Sequence, residues 1–178
     1  MHKKVSAIGA AGVLCCLIGG ASALAATASR TPVGGAIDVF VTPANGQGNG
    51  TILITGAIGD FGTTHSFHIH GETFAYATLQ HGKIEFNLTK VSAKANSASP
   101  KVDAATCSAA LSVSAPVSVV GGTGLYKGVS GTVKLTESFG YIGATYATGP
   151  KKGRCNMSNS APTVAEVGNV HGTGTVSF

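Results

Sequence analysis

An all-β fold, a single antiparallel β-barrel of about eight strands with short helical turns, is predicted by three observations. Alternation of apolar and polar residues is common, whereas no long segment carries apolar residues at the helical period. Gly accounts for 26 of 178 residues, about double the usual share, and Thr, Ser and Val abound beside it. Turn signals separate seven or eight short runs at the spacing of a sandwich or barrel. Gly scattered within the runs suits the bends of a closed barrel.

The runs follow in order. Gly35 to Thr42 reads as the first strand and Thr51 to Thr55 as a β-branched second, after a loop bracketed by Asn45-Gly46 and Asn49-Gly50. His65 to His70 is a third candidate. His81-Gly82 links two alternating segments at hairpin distance. In the later one, Ile84, Phe86 and Leu88 alternate with Glu85, Asn87 and Thr89. Ala93 to Asp103 reads as a polar surface loop. Leu111, Val113, Ala115, Val117 and Val119 alternate with mostly Ser. Val133, Leu135 and Phe139 alternate with Thr132, Lys134, Thr136 and Ser138. Gly143 to Pro162 is the longest irregular stretch, and a helical turn is expected at Thr163 to Val167. Asn169 to Phe178 closes the series.

Two segments are expected, a signal peptide at 1–28 and one domain at 29–178. Lys3 and Lys4 form a basic start, Val5 to Leu24 is apolar and small, and Ala23-Leu24-Ala25 and Ala26-Thr27-Ala28 are both small-x-small cleavage sites. No stable membrane span remains after cleavage, so the protein is expected outside the cell or in its envelope. Charged residues are 11% and hydrophobic ones 43%, which excludes a disordered polyelectrolyte. The formal net charge of +5 falls further when Lys3 and Lys4 leave, too mild for nucleic-acid binding. Cys107 and Cys155 survive cleavage, and in an exported chain they most simply form one disulfide.

Val119 to Leu135 reads VVGGTGLYKGVSGTVKL. This resembles the Gly-rich segment of the allene oxide cyclase barrel superfamily, which includes the plant dirigent proteins. Gly121, Gly122 and Gly124 permit backbone angles that a Cβ forbids, and Tyr126 can plug a barrel end. The resemblance implies an eight-stranded antiparallel barrel with an interior sized for a small molecule, with dimers or trimers as common assemblies. In the plant enzymes it implies cyclisation of an unsaturated epoxide or steering of radical coupling. No catalytic position aligns outside the segment, so none is carried over. The ending Gly172 to Phe178 also resembles that of a group of secreted bacterial proteins with no assigned activity.

Two constellations can carry chemistry. His65-Ser66-Phe67-His68-Ile69-His70 puts His68 and His70 on one face of a strand and His65, Phe67 and Ile69 on the other. Two imidazoles at i and i+2 can share one copper or zinc ion, with His65, His81 or His171 as further ligands. The run HSFHIHG resembles the copper-binding strand of copper/zinc superoxide dismutases, but the zinc loop of that family has no counterpart here. Read blandly, it is a strand with Phe67 and Ile69 in the core and solvated histidines. Glu137 shares a face with Val133, Leu135 and Phe139. A carboxyl facing a barrel interior is costly unless paired, and its raised pKa suits it to acid or base work. Tyr126, Tyr141 and Tyr146 are expected to supply hydroxyls to the same interior.

No G-x-S-x-G elbow, HExxH or Walker motif occurs. The function expected is therefore a non-catalytic binding or cell-envelope protein, with an apolar small molecule in the barrel and no obligatory cofactor. The alternatives are a copper or zinc protein using His65, His68 and His70, and a barrel isomerase or cyclase with Glu137 as acid or base.

Overall fold

The computed structural model describes residues 33–44, 49–156, 158 and 160–178. The expected signal peptide and the Asn45-Gly46 turn lie outside the described residues. Eight strands form a closed antiparallel meander: β1 (Gly35–Ala44), β2 (Asn49–Gly56), β3 (Asp60–Ile69), β4 (Glu72–Leu79), β5 (Gly82–Asn87), β6 (Ser108–Gly122), β7 (Ser130–Gly143) and β8 (Thr163–Ser177). β8 returns to pair with β1, Val39 lying opposite Gly172. Closure leaves the body of the barrel without edges. No helix among the described residues is long and apolar enough to cross a membrane.

Alternation sends one residue in two into a single core. Ile37 and Val39, Ile52 and Ile54, Ile84 and Phe86, Val113 to Val119, and Val133 and Leu135 all meet there. β3 reverses the expectation for Phe67 and Ile69. Its register against β2 sets Asp60 opposite Ile54 and Gly62 opposite Ile52, so the even-numbered residues face inward. Phe67 lies on the outer wall, stacked on Phe74 and Tyr76 at 5.8 and 4.7 Å, and Ile69 is exposed.

The Gly-rich segment closes one end. A short 3-10 turn, Gly124–Tyr126, swings Tyr126 into the barrel, where it is 2% exposed among Ile37, Val129 and Val176. Gly124 has φ +61°, and a Cβ there would lie 2.5 Å from the His81 carbonyl oxygen. At Gly122 the same added atom would meet the Tyr126 carbonyl at 2.5 Å. Gly121 has open space and no positive φ, so this turn requires two of the three glycines rather than all of them.

Three further expectations change. Residues 93–97, read as loop, belong to helix α1 (Thr89–Ser97). β5 is six residues long and pairs with β6 only through Ser118 to Gly122. α1 packs across the part of β6 that β5 leaves free, burying Val91 with Ala95 and Ala98 against the core, and Lys94 Nζ donates to the Ser114 carbonyl at 2.9 Å. The expected turn at Thr163 to Val167 is strand, because Gly143 to Gly140 of β7 supply its backbone partners. Asn49-Gly50 lies inside β2 rather than in the loop before it. The end of β7 and the start of β8 run beyond the barrel with the start of β6, and the Cys107–Cys155 disulfide, Cα–Cα 5.3 Å, ties the long β7–β8 connection to this projection.

Candidate functional site

The end opposite Tyr126 is open, and its interior holds a cavity of about 260 Å³. The cause is the size of the inward residues. Near the closed end most are Ile, Leu and Val, with Tyr126 among them. Near the mouth, β3 and β4 contribute Thr64, Ser66 and Ala75, too short to meet in the middle. Val39, Val41, Phe86, Leu88, Leu135 and Val170 supply apolar walls.

Glu137 lies on this wall. It pairs with Val113 of β6 and Val170 of β8, and the same alternation that buries Val133 and Leu135 turns it inward. Among the described residues lining the cavity it is the one ionisable group. No hydrogen bond or ion pair to its carboxylate occurs among the described residues. Burial pushes its pKa above the ordinary carboxylate value, because the charged form loses water without gaining a partner.

The other expected groups do not join it. Tyr126 is at the far end. Tyr146 lies in the β7–β8 connection, with Lys151 Nζ 5.6 Å from its ring. Tyr141 and Phe139 form a tilted pair 5.9 Å apart on the projection beyond the barrel, which leaves Phe139 exposed. Strand parity holds for these residues, but the wall they belong to no longer encloses anything.

The histidines are dispersed. His65 faces outward opposite Tyr76, its Nδ1 in a hydrogen bond with Asn49 Oδ1. His68 Nδ1 is 3.0 Å from Thr73 Oγ1 across the hairpin. β3 stops at Ile69, so alternation no longer orients His70, which occupies the β3–β4 turn with Gly71 at φ +50° and +84°. Positive φ at both central residues is the type I′ hairpin requirement, met here by His-Gly. His171 lies tilted against the Phe40 ring, centroids 4.9 Å apart. No group of three or more His, Cys, Asp or Glu side chains is placed to hold a metal among the described residues.

A polar cluster that the sequence reading missed lies at the closed end. Asp60, 3% exposed, accepts the Phe61 N–H at 2.7 Å and the Gln80 and His81 N–H groups at 3.3 and 3.1 Å. His81 Nδ1 lies 3.0 Å from it, and the Tyr126 hydroxyl donates at 2.5 Å. Burial raises the Asp60 pKa, but the hydrogen bonds from Tyr126, His81 and the Phe61 backbone together outweigh it and hold the carboxyl below its usual value. The sequence signal was an acid straight after a Gly-rich turn, Gly56 to Gly59, with Tyr126 already expected to plug an end.

A closed antiparallel barrel with one plugged end and one hollow end defines the class to which the chain belongs. Protein-family models, curated proteins and solved structures all fail to match it, so the fold and the site carry the functional argument alone.

Proposed function

We propose that the chain is an exported barrel protein that holds a small, largely apolar molecule in its mouth without transforming it, outside the cell or in its envelope. The cavity carries this reading. A void of about 150 Å³ lined by aliphatic and aromatic groups stays dry and admits benzene, and the space here is larger, with a few polar groups to orient an occupant. The disulfide fits an oxidising compartment. The Gly-rich plug and the eight-stranded meander support kinship with the allene oxide cyclase-type barrels.

Binding of propylbenzene, followed by NMR shifts of the mouth residues, tests the reading. Ala75→Leu, which fills the space beneath Thr64 and Ser66, should abolish the shifts while thermal melting remains cooperative. Unchanged propylbenzene binding in that variant would rule the cavity out as the site.

A second reading makes Glu137 the acid or base of an isomerase or cyclase acting on an apolar substrate, favoured by its raised pKa in an apolar wall. There Glu137→Gln should abolish turnover with the fold intact. The copper or zinc reading through His65, His68 and His70 rests on the sequence pattern alone.

A further inference from the structure

We infer that the mouth cavity selects a cationic occupant, a small apolar molecule carrying one primary ammonium group, with Glu137 as its counter-ion. The inference rests on the cavity being the binding site, as proposed above.

Glu137 stands out by what it lacks. Its carboxylate faces an otherwise apolar or neutral wall with no partner among the described residues. An unpaired carboxylate in such a place is a standing cost to the fold. The side chain is only half-buried, which keeps that cost bearable. Part of its desolvation is already borne by the folded state, so pairing it costs less than pairing a fully hydrated carboxylate would. An ammonium donates charge-assisted hydrogen bonds, shorter and roughly twice as strong as neutral ones. A hydroxyl offers the carboxylate one hydrogen bond but no charge to neutralise it, a hydrocarbon offers neither, and a carboxylate would meet like charge.

The neutral polar groups that line the same cavity, Asn49, Thr64 and Ser66, do not reverse this preference. Thr64 and Ser66 hydroxyls both donate and accept, so they serve an ammonium as well as an alcohol. No lysine, arginine or histidine is among the described residues that line the cavity. The apolar part of the occupant would rest on Val39, Phe86 and Leu135, each paired with a strand on both sides.

Four probes of matched size test this on the purified protein by calorimetry or NMR titration: 2-phenylethylamine, 2-phenylethanol, propylbenzene and phenylacetate. The amine should bind about tenfold tighter than the alcohol, and phenylacetate should bind worst. In Glu137→Gln the amine should fall to within about twofold of the alcohol, while propylbenzene keeps its affinity and so reports an intact cavity. Equal binding of amine and alcohol by the native protein would overturn the charge selectivity and leave the cavity reading standing. An amine preference that survives Glu137→Gln would overturn the assignment of Glu137. Failure of all four probes to bind would overturn the cavity reading and this inference with it.

Discussion

At the closed end, Asp60 is surrounded by donors: three backbone N–H groups, the His81 ring and the Tyr126 hydroxyl. At the mouth, Glu137 has none among the described residues. Both carboxylates project into the same barrel, and their pKa values move in opposite directions, down for Asp60 and up for Glu137. Burial pushes both upward, so burial does not distinguish them. Hydrogen bonding does. A buried acid that is fully satisfied is a fastening, and one that is left unsatisfied is a cost that binding or chemistry can relieve.

The largest effect should come from removing the fastening. Asp60→Ala leaves the Tyr126 hydroxyl and the Gln80 and His81 N–H groups facing a hole, and should cost on the order of 3 kcal/mol in chemical denaturation. Asp60→Asn keeps the shape but loses the charge, which isolates the electrostatic part. A carboxyl with a lowered folded pKa stabilises fully above the unfolded value of about 4. That stability is lost as pH falls through the folded value. The native protein should therefore lose stability on acidification below pH 4 more steeply than Asp60→Asn. Parallel pH profiles for the two would show that Asp60 is no different from an exposed acid.

Tyr126→Phe is the next step down. It removes the hydroxyl that meets Asp60 and keeps the ring that fills the closed end. A hydrogen bond to a charged group is worth about 1.5–3 kcal/mol, so a loss of about 2 kcal/mol is expected. Acting on the same bond, Tyr126→Phe and Asp60→Asn should be non-additive in a double-mutant cycle. Additivity would mean that the tyrosine serves only as a plug.

The two ends also differ in how far the sequence discloses them. The Gly-rich run around Gly122 and Gly124 marks the plug, because glycines in a tight turn before an aromatic have a direct steric meaning. Alternation places Glu137 inward with Val133 and Leu135. What alternation cannot supply is register. Phe67 and Ile69 were expected inside because they are the apolar members of His65 to His70. Pairing of Asp60 with Ile54 decides otherwise and brings the small polar residues Thr64 and Ser66 inward. That one reversal makes the cavity, and it depends on a contact between strands rather than on either strand alone. α1 was hidden for a related reason. Its inward positions are Val91 and Ala95, with Ala98 just past its end, so its apolar stripe is short and faint. Its place is set by the length of β5. The histidines failed as a cluster because Ile69 ends the strand, which turns His70 from a face residue into a hairpin corner.

The smallest effect, and the one with the opposite sign, belongs to Glu137→Gln. A carboxyl whose folded pKa is raised costs stability above that folded value, and the cost disappears as pH falls below the unfolded value of about 4.3. Neutralising it should raise stability at pH 7 by less than about 1 kcal/mol, since a half-buried group is still partly screened by water. At pH 4 the variant and the native protein should melt together. Asp60→Asn should show the reverse, a loss at pH 7 that shrinks on acidification. Melting both variants across pH 3 to 8 thus turns the contrast between the ends into two curves of opposite slope. If Glu137→Gln is destabilising at pH 7, the native carboxylate has a partner, and the mouth is fastened like the closed end rather than held open for an occupant.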